Sequence, residues 1–404
     1  MKILQLYNEQ RSRFGGELAV IDLTMRVLAQ NGNDLRLVMK SSRALENSLR
    51  KRFNAFWGGI YNIRAFSEMR CLLETDRPDL VHVHSVYPMF SPSILVACKQ
   101  ARVPVVMTLH SHILTCPNWH HLYKGRICEE CMGGHEIRCL TKNCRNSILE
   151  SAAYALRSAF SRRFRLFQDN ADVLIVHSPF ARKRLLEAGF ADDQVQIVPN
   201  PSSLKDLPED LPCGEFVGFA GRVAREKGLH VLLASASQLP KIPFKVAGDG
   251  PVLSELRAIA PQNVEFLGQL DSQSLVSFYR KSLALVVPSL CLEAFSMVAV
   301  DAMAVGLPVI ASRIGGLPYV VDDGITGYLF EPGNALELAE KIRWLWEDRD
   351  LAKRMGIAGR QKVRHQYTLD TYYQNLMAVY ERAIQRSQFF NMFNVAQPYT
   401  RSSA

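Results

Sequence analysis

Two carboxylates eight positions apart, Glu293 and Asp301, occur within Ala284 to Ser312, ALVVPSLCLEAFSMVAVDAMAVGLPVIAS. The stretch opens on an apolar, β-branched run and passes Pro288-Ser289. It becomes Ala- and Met-rich at helical spacing from about Phe295 and breaks at Gly306 before a second short strand. Glu293 therefore falls in a loop at a helix mouth, and Asp301 on the helix. At the mouth, near Phe295, Ser296, Met297 and Val298, unsatisfied N–H groups and the positive end of the helix dipole make a seat for phosphate. A carboxylate beside an anion seat is repulsive unless it accepts hydrogen bonds from groups attached to that anion. Sugar hydroxyls are the obvious donors. With a rise of about 1.5 Å per residue, Asp301 lies roughly 8 to 12 Å from Glu293, the reach of a nucleoside diphosphate carrying a sugar. Two solvated surface acids would give the same letters.

Cations stand where such an anion would need them. Arg222 follows the strand-like EFVGFAG directly, and Lys227 and Gly228 precede a helix, Leu229 to Gln238. At a strand end opposite a phosphate seat they would stabilise a departing diphosphate. Surface cations capping a loop are the alternative reading. Gly15-Gly16 before the first helix, and Gly315-Gly316 later, would let a ligand approach the backbone closely. His110 ends the strand VPVVMTLH at the edge where open α/β sheets place ligands, so it could hydrogen-bond a substrate or exchange a proton. His82, His84 and His112 are neighbours; His82 and His84 alternate with valines and read as one face of a buried strand.

Five of nine cysteines fall between Cys116 and Cys144. Cys128-x-x-Cys131 reads as a zinc knuckle that Cys139 and Cys144 would complete, with Cys116 an alternative, and His120, His121 and His135 alternative ligands. Reduced thiols in a loop are the competing reading. This would be structural zinc; no catalytic metal and no other cofactor is expected, because cations already supply the charge neutralisation that diphosphate departure needs.

The elements that must position these groups read as two α/β halves. The opening is a βαβ unit: strand Lys2 to Tyr7, helix Glu17 to Gln30, strand Leu35 to Met39. It lacks G-x-G-x-x-G and an acid after its second strand, which argues against a nicotinamide or flavin dinucleotide. Residues 201–214, Pro-containing and aperiodic, form a linker. The expected organisation is 1–204 with a cysteine-rich insertion at 111–150, then 205–367, a final helix at 368–386 and a poorly ordered tail at 387–404. Asp348-Arg349-Asp350 matches a metal-binding D-x-D in letters, but with no strand before it the better reading is a helix cap.

No apolar run is long enough to span a bilayer and no secretory signal is read, so a cytoplasmic location is expected. The net charge of +9 sits wholly in residues 1–200, which hold 27 Lys and Arg against 18 Asp and Glu. Leu49 to Phe66 interleaves Arg50, Lys51, Arg52 and Arg64 with five aromatic rings, and Arg157 to Arg165 adds Arg162, Arg163 and Arg165. Such segments suit an anionic membrane surface at the inner face of the membrane, or an amphipathic core helix. No nucleic-acid partner is expected.

The run Pro288-Ser289, Glu293-Ala294-Phe295, Asp301-Ala302-Met303-Ala304 and Gly306-x-Pro308-Val309 resembles the nucleotide-sugar motif of glycosyltransferase family 4, retaining enzymes of the GT-B fold. The resemblance covers nearly all of residues 1–386. It implies two Rossmann-like domains facing across a cleft, with the C-terminal helix crossing back to the first domain. It places Glu293 on the donor sugar, Asp301 on the nucleotide ribose, Arg222 and Lys227 on the phosphates, Gly15-Gly16 against the same phosphates and His110 near the sugar. It implies a retaining hexosyltransferase that moves sugar from a nucleoside-diphosphate donor to a glycan or lipid-linked glycan in cell-surface polysaccharide synthesis, by same-face attack. Asp301 stands where the family has a second Glu, and Ala294 and Ser296 stand where it has glycines. Those departures keep a non-catalytic nucleotide-sugar-binding partner, and a GT-B sugar-nucleotide epimerase, as rival readings.

Overall fold

Runs such as LVHV, VVMT, VLIV and SLALVV carry no polar alternation in their burial; every residue is covered, as in strands packed on both faces. The computed structural model, which describes residues 1–9, 16–42, 58–204 and 210–395, builds two parallel sheets from them. In the first, β1 (Lys2–Glu9), β2 (Asp34–Ser41), β3 (Leu80–Val83), β4 (Val105–Thr108), β7 (Val173–Val176) and β8 (Val195–Ile197) lie in the order β2-β1-β3-β4-β7-β8. Between them β5 (Leu122–Tyr123) and β6 (Arg126–Ile127) form a separate antiparallel hairpin in the insertion. In the second sheet, β9 (Phe216–Ala220), β10 (Phe244–Ala247), β11 (Val264–Gly268), β12 (Ser282–Val287), β13 (Val309–Ser312) and β14 (Gly327–Phe330) take the order β11-β10-β9-β12-β13-β14. The strand order reverses between β1 and β3 in one sheet and between β9 and β12 in the other. Open parallel sheets present a crevice at the C-terminal strand ends at that reversal.

Four helices matter for the crevices: α1 (Gly16–Gln30), α2 (Leu229–Ser237), α3 (Met297–Ala304) and α4 (Leu369–Val395). In α1 the buried residues Val20, Ile21, Thr24, Val27 and Leu28 recur on one face, as a core-facing helix requires. α3 is covered almost all round, with Ala299, Val300, Ala302, Met303 and Ala304 fully buried, so it is a core helix whose first turn alone faces the cleft. α4 follows the second domain yet buries Tyr372, Leu376, Val379, Tyr380 and Ala383 against Ile3, Leu80, Val106 and Val173 of the first. Its Tyr372 hydroxyl shares a 2.7 Å hydrogen bond with Thr24 of α1. The helix continues to Val395, into the segment expected to be a tail, with Ser387 buried. The chain thus crosses between domains twice, and the crossings touch: Ser202 N–H donates to Tyr367 O at 3.0 Å. Asp348 caps the helix Arg349–Gln366 through Leu351 N–H, as its letters suggested.

The cysteine expectation needs correction. Among the described residues no set of three or more His, Cys, Asp or Glu side chains is placed to hold a metal ion, so Cys128, Cys131, Cys139 and Cys144 do not assemble as a zinc set, with or without Cys116. The local geometry pairs two of these thiols. The helix Ile137–Thr141 ends with Asn143 in the left-handed region at φ 48°, Cys144 N–H bonds Cys139 O at 3.1 Å, and Asn143 N–H bonds Leu140 O at 2.9 Å. This is a Schellman turn, which brings its two flanking side chains together. Those side chains are Cys139 and Cys144, and their contact, aided by Lys142, lowers the Cys144 thiol to about 7. Lys142 Nζ in turn lies 3.7 Å from Cys128 Sγ.

The basic segments also change character. Arg50, Lys51 and Arg52 lie outside the described residues. Arg157 is buried against the rings of Tyr87 and Tyr154, while Arg64, Arg162 and Arg165 pair with Glu68, Glu136 and Asp169.

Candidate active site

The β9–β12 reversal brings the sequence's cations and carboxylate together. Arg222 and Lys227 follow β9, and Ser289 and Glu293 follow β12, its neighbour in the sheet. Glycines set the spacing between these loops. Gly228 sits at φ +69°, and a Cβ there would come 1.8 Å from Pro288 O. Gly315, at φ +59°, would place a Cβ 2.6 Å from the backbone of Glu293, and Gly316 N–H donates to Glu293 O at 2.7 Å. Gly315-Gly316 therefore approaches the Glu293 loop tightly, which fixes the height of the carboxylate.

Glu293 Oε1 accepts from Lys227 Nζ at 2.6 Å and from Ser289 Oγ at 2.6 Å. Burial alone would raise the Glu293 pKa; Lys227 and Ser289 outweigh it and hold the carboxyl below its ordinary value. Lys227 shifts the opposite way, its burial outweighed by Glu293 so that its pKa is raised. Arg222 pairs with Glu226, a residue that the sequence reading passed over. Its only signal is a place four residues after Arg222. Two cations and two carboxylates leave the crevice electrically balanced.

Helix mouths supply the rest. Ser296 is the N-cap of α3 and makes no side-chain cap, leaving the first-turn N–H groups of Met297 and Val298 without that partner. Gly16, at the start of α1, faces Met297 across the cleft; a Cβ there would lie 3.3 Å from Met297 Cγ. Two helix N-termini converge on one spot, and their dipoles add there. Gly15 lies outside the described residues. Phe295 turns from the mouth toward His177 and Tyr367, with ring centroids 6.0 and 5.8 Å away.

Asp301 lies further along α3. It is buried beneath the interdomain linker, accepting from Ser202 Oγ at 2.8 Å, Ser203 N at 2.7 Å and Ser203 Oγ at 2.5 Å. Burial raises its pKa, and those hydrogen bonds oppose the rise. The partners are 98 and 99 residues distant, which no local pattern reports.

His110 stands in a row along the C-terminal edge of the first sheet. His84 Nε2 bonds Gln5 Oε1 at 2.8 Å, His84 Nδ1 lies 3.3 Å from His110 Nε2, and the His110 and His177 rings are 5.3 Å apart. His82 links Tyr380 and Thr108, each at 2.7 Å. His82 and His84 do share the buried environment read from their alternation. Burial pushes all four imidazoles down, His82 to about 3 and His177 to about 4, so they are neutral in the fold. A base whose folded pKa is depressed takes its proton in the unfolded chain first. Stability is therefore intact above about pH 6.5 and lost as pH falls toward the folded values. Urea unfolding between pH 7.5 and 5 should show each histidine removing up to about 1.4 kcal/mol per pH unit. In His177→Gln the slope should fall by one proton; an unchanged slope would refute this assignment.

Comparison with known proteins bears on this geometry. The glycosyltransferase family 4 model matches residues 14–205, and the glycosyl transferases group 1 model matches residues 212–362. An uncharacterized glycosyltransferase of Methanocaldococcus jannaschii is 28% identical over 312 residues, 76% of each chain. The sulfoquinovosyl transferase of Arabidopsis thaliana is 27% identical over 295 residues, 71% of this chain and 53% of the plant protein. Among solved structures, Anabaena HepE in complex with UDP-glucose superposes with TM-score 0.64 at 19% identity, covering 94% of this chain and 99% of that one. Sucrose-phosphate synthase from Thermosynechococcus elongatus gives 0.65 at 21% identity, covering 98% and 99%. Two parallel α/β domains, a helix that returns to the first, and family models that match side by side along both halves give one conclusion: the chain belongs to the family 4-like glycosyltransferases of the GT-B fold.

Proposed function

We propose that this protein transfers a hexose, with retention, from a nucleoside-diphosphate sugar held in the β9–β12 crevice to a glycan or lipid-linked glycan held by the first domain. The observation that carries the reading is the Lys227–Glu293 pair beside Arg222 at the mouth of α3. In this reading the diphosphate draws Arg222 and Lys227 onto its oxygens and takes the N–H groups of Met297 and Val298. Glu293, freed toward the sugar, accepts its hydroxyls. A ribose hydroxyl replaces Ser203 Oγ on Asp301, one hydroxyl donor for another. The anomeric carbon's bond to the phosphate oxygen breaks while its bond to the acceptor oxygen forms on the same face, and the acceptor's proton passes to the leaving phosphate. His110, at the strand edge, lies near the sugar. Relatives of this fold solved with UDP and UDP-glucose make UDP-hexoses the first donors to try.

A lipid-linked acceptor fits exposed apolar side chains on the first domain, Leu149, Leu156 and Phe164, with Arg163 among them. Their proposed setting is an anionic membrane surface. No helix among the described residues is long and apolar enough to cross a membrane.

The test is thermal stability against UDP-, GDP- and ADP-sugars. A donor at 100 times its Kd should stabilise the fold by about 2.7 kcal/mol, and the shift should vanish in Lys227→Ala. No shift with any nucleotide sugar would overturn the reading. A shift without turnover on any glycan or lipid-linked acceptor would favour a non-catalytic binding partner instead.

A further inference from the structure

The insertion between β4 and the helix Ile148–Arg163 has no assigned part in the site, yet it reaches across the cleft. Its Leu122 packs on the apolar cluster of the second domain that contains Leu290, in the loop after β12. Its backbone is contorted at that place: Trp119, His121 and Lys124 hold φ of 71°, 49° and 48°, a region costly for side chains with a Cβ. The contortion is pinned from within. Thr115 Oγ1 bonds His121 Nε2 at 2.8 Å, His121 Nδ1 lies 3.2 Å from Cys128 O, and His112 N–H bonds Trp119 O at 3.3 Å. Both ring nitrogens of His121 are spent on the loop itself. His120, the half-buried imidazole between these residues and two positions from Leu122, is within electrostatic range of Glu226, Arg222, Lys227 and Glu293 on the other domain, and of His112 and His121 on its own.

We infer that His120 is a donor-site residue supplied by the first domain: the pinned loop Trp119–Lys124 caps the β9–β12 crevice, and the His120 imidazole donates an N–H to the diphosphate of the bound sugar nucleotide. The crevice has two cations and two carboxylates, so an arriving polyanion meets no surplus of positive charge. It needs N–H donors beyond those two paired cations. The first turn of α3 supplies some from below, and His120 supplies one from above. A loop held in left-handed conformations by its own hydrogen bonds keeps that donor in place without the donor present, which limits the ordering cost of binding.

This inference rests on the proposed nucleotide-sugar site, and the experiment separates the two. Donor Kd is measured by titration of UDP-glucose, or the best sugar nucleotide of the panel, on the parent chain, Lys227→Ala, His120→Ala and His120→Asn. The expected result is a Kd raised about 10- to 100-fold in His120→Ala, as for the loss of a hydrogen bond to a charged group. His120→Asn, which keeps an N–H donor, should recover part of it, and the melting temperature without donor should stay at the parent value. The KM for acceptor should not move. If the parent binds donor, Lys227→Ala loses it, and His120→Ala binds as the parent does, His120 is not in the site. If the parent binds no sugar nucleotide, the underlying reading has failed instead. An equal loss in His120→Ala and His120→Asn with a lowered apo melting temperature would make the residue a structural part of the loop and overturn its contact with phosphate.

Discussion

Lys227→Ala should lower turnover by about 100- to 1,000-fold, the loss seen when one preorganised charge stabiliser is removed from a transition state. It should also destabilise the protein. Glu293 is buried, and without Lys227 its desolvated carboxyl loses its main partner and keeps the Ser289 hydrogen bond. Breaking a buried pair from one side costs about 3 to 5 kcal/mol, and the lower figure applies because Lys227 retains some solvent contact. The two effects separate in the double variant Lys227→Met, Glu293→Gln. Removing both charges should return most of the stability and none of the activity. Steady-state kinetics and urea unfolding on the three proteins check this; activity returning with stability would mean that Lys227 only holds the fold.

The second large effect lies far from the crevice. Tyr380→Ala should cost about 3 to 5 kcal/mol, because Tyr380 is a large, fully buried side chain at the centre of the α4 interface. It also satisfies His82 Nδ1 at 2.7 Å and accepts from Gln5 Nε2 at 3.4 Å. Tyr380→Phe keeps the ring and removes the hydroxyl, and should cost about 1 to 3 kcal/mol through the orphaned partners. At about 2 to 4 °C per kcal/mol for a domain of this size, the alanine variant should melt about 10 °C lower. Equal melting of the alanine and parent proteins would mean that α4 is not integral to the first domain.

Much of the architecture was legible because parallel strands buried on both faces leave unbroken apolar runs, and β3, β4, β7 and β12 are such runs. Glu293, Lys227 and Arg222 were legible for a related reason: each lies in the segment that leads from a strand end into the next helix, and strand ends are where an open sheet places ligands. Contacts made by distant segments were not. Nothing near Asp301 signals that Ser202 and Ser203 will take its oxygens, and nothing near His82 signals Tyr380, 298 residues away. Glu226 was adjacent in sequence and still missed, since a lone acid in a loop looks solvated until its pairing is seen. The cysteines misled because spacing suggested tetrahedral ligands, whereas among the described residues no three or more such side chains are placed to hold a metal ion. The length of α4 was underestimated at SQFFNMFNV, where polar and apolar residues are mixed and no charge or cap marks an end.

The two crossings of the chain meet at one point, where Ser202 N–H bonds Tyr367 O, and Asp301 grips the outgoing crossing at Ser202 and Ser203 beside it. Two bodies tethered twice at one edge have a fulcrum there and little freedom except to swing about it. Displacement then grows with distance from the fulcrum, so a small rotation at Ser202 becomes a wide arc at the far lip of the cleft. In the proposed ribose exchange, a nucleotide that takes Ser203 Oγ's place on Asp301 acts at the short arm of that lever, where loosening one grip releases the whole swing.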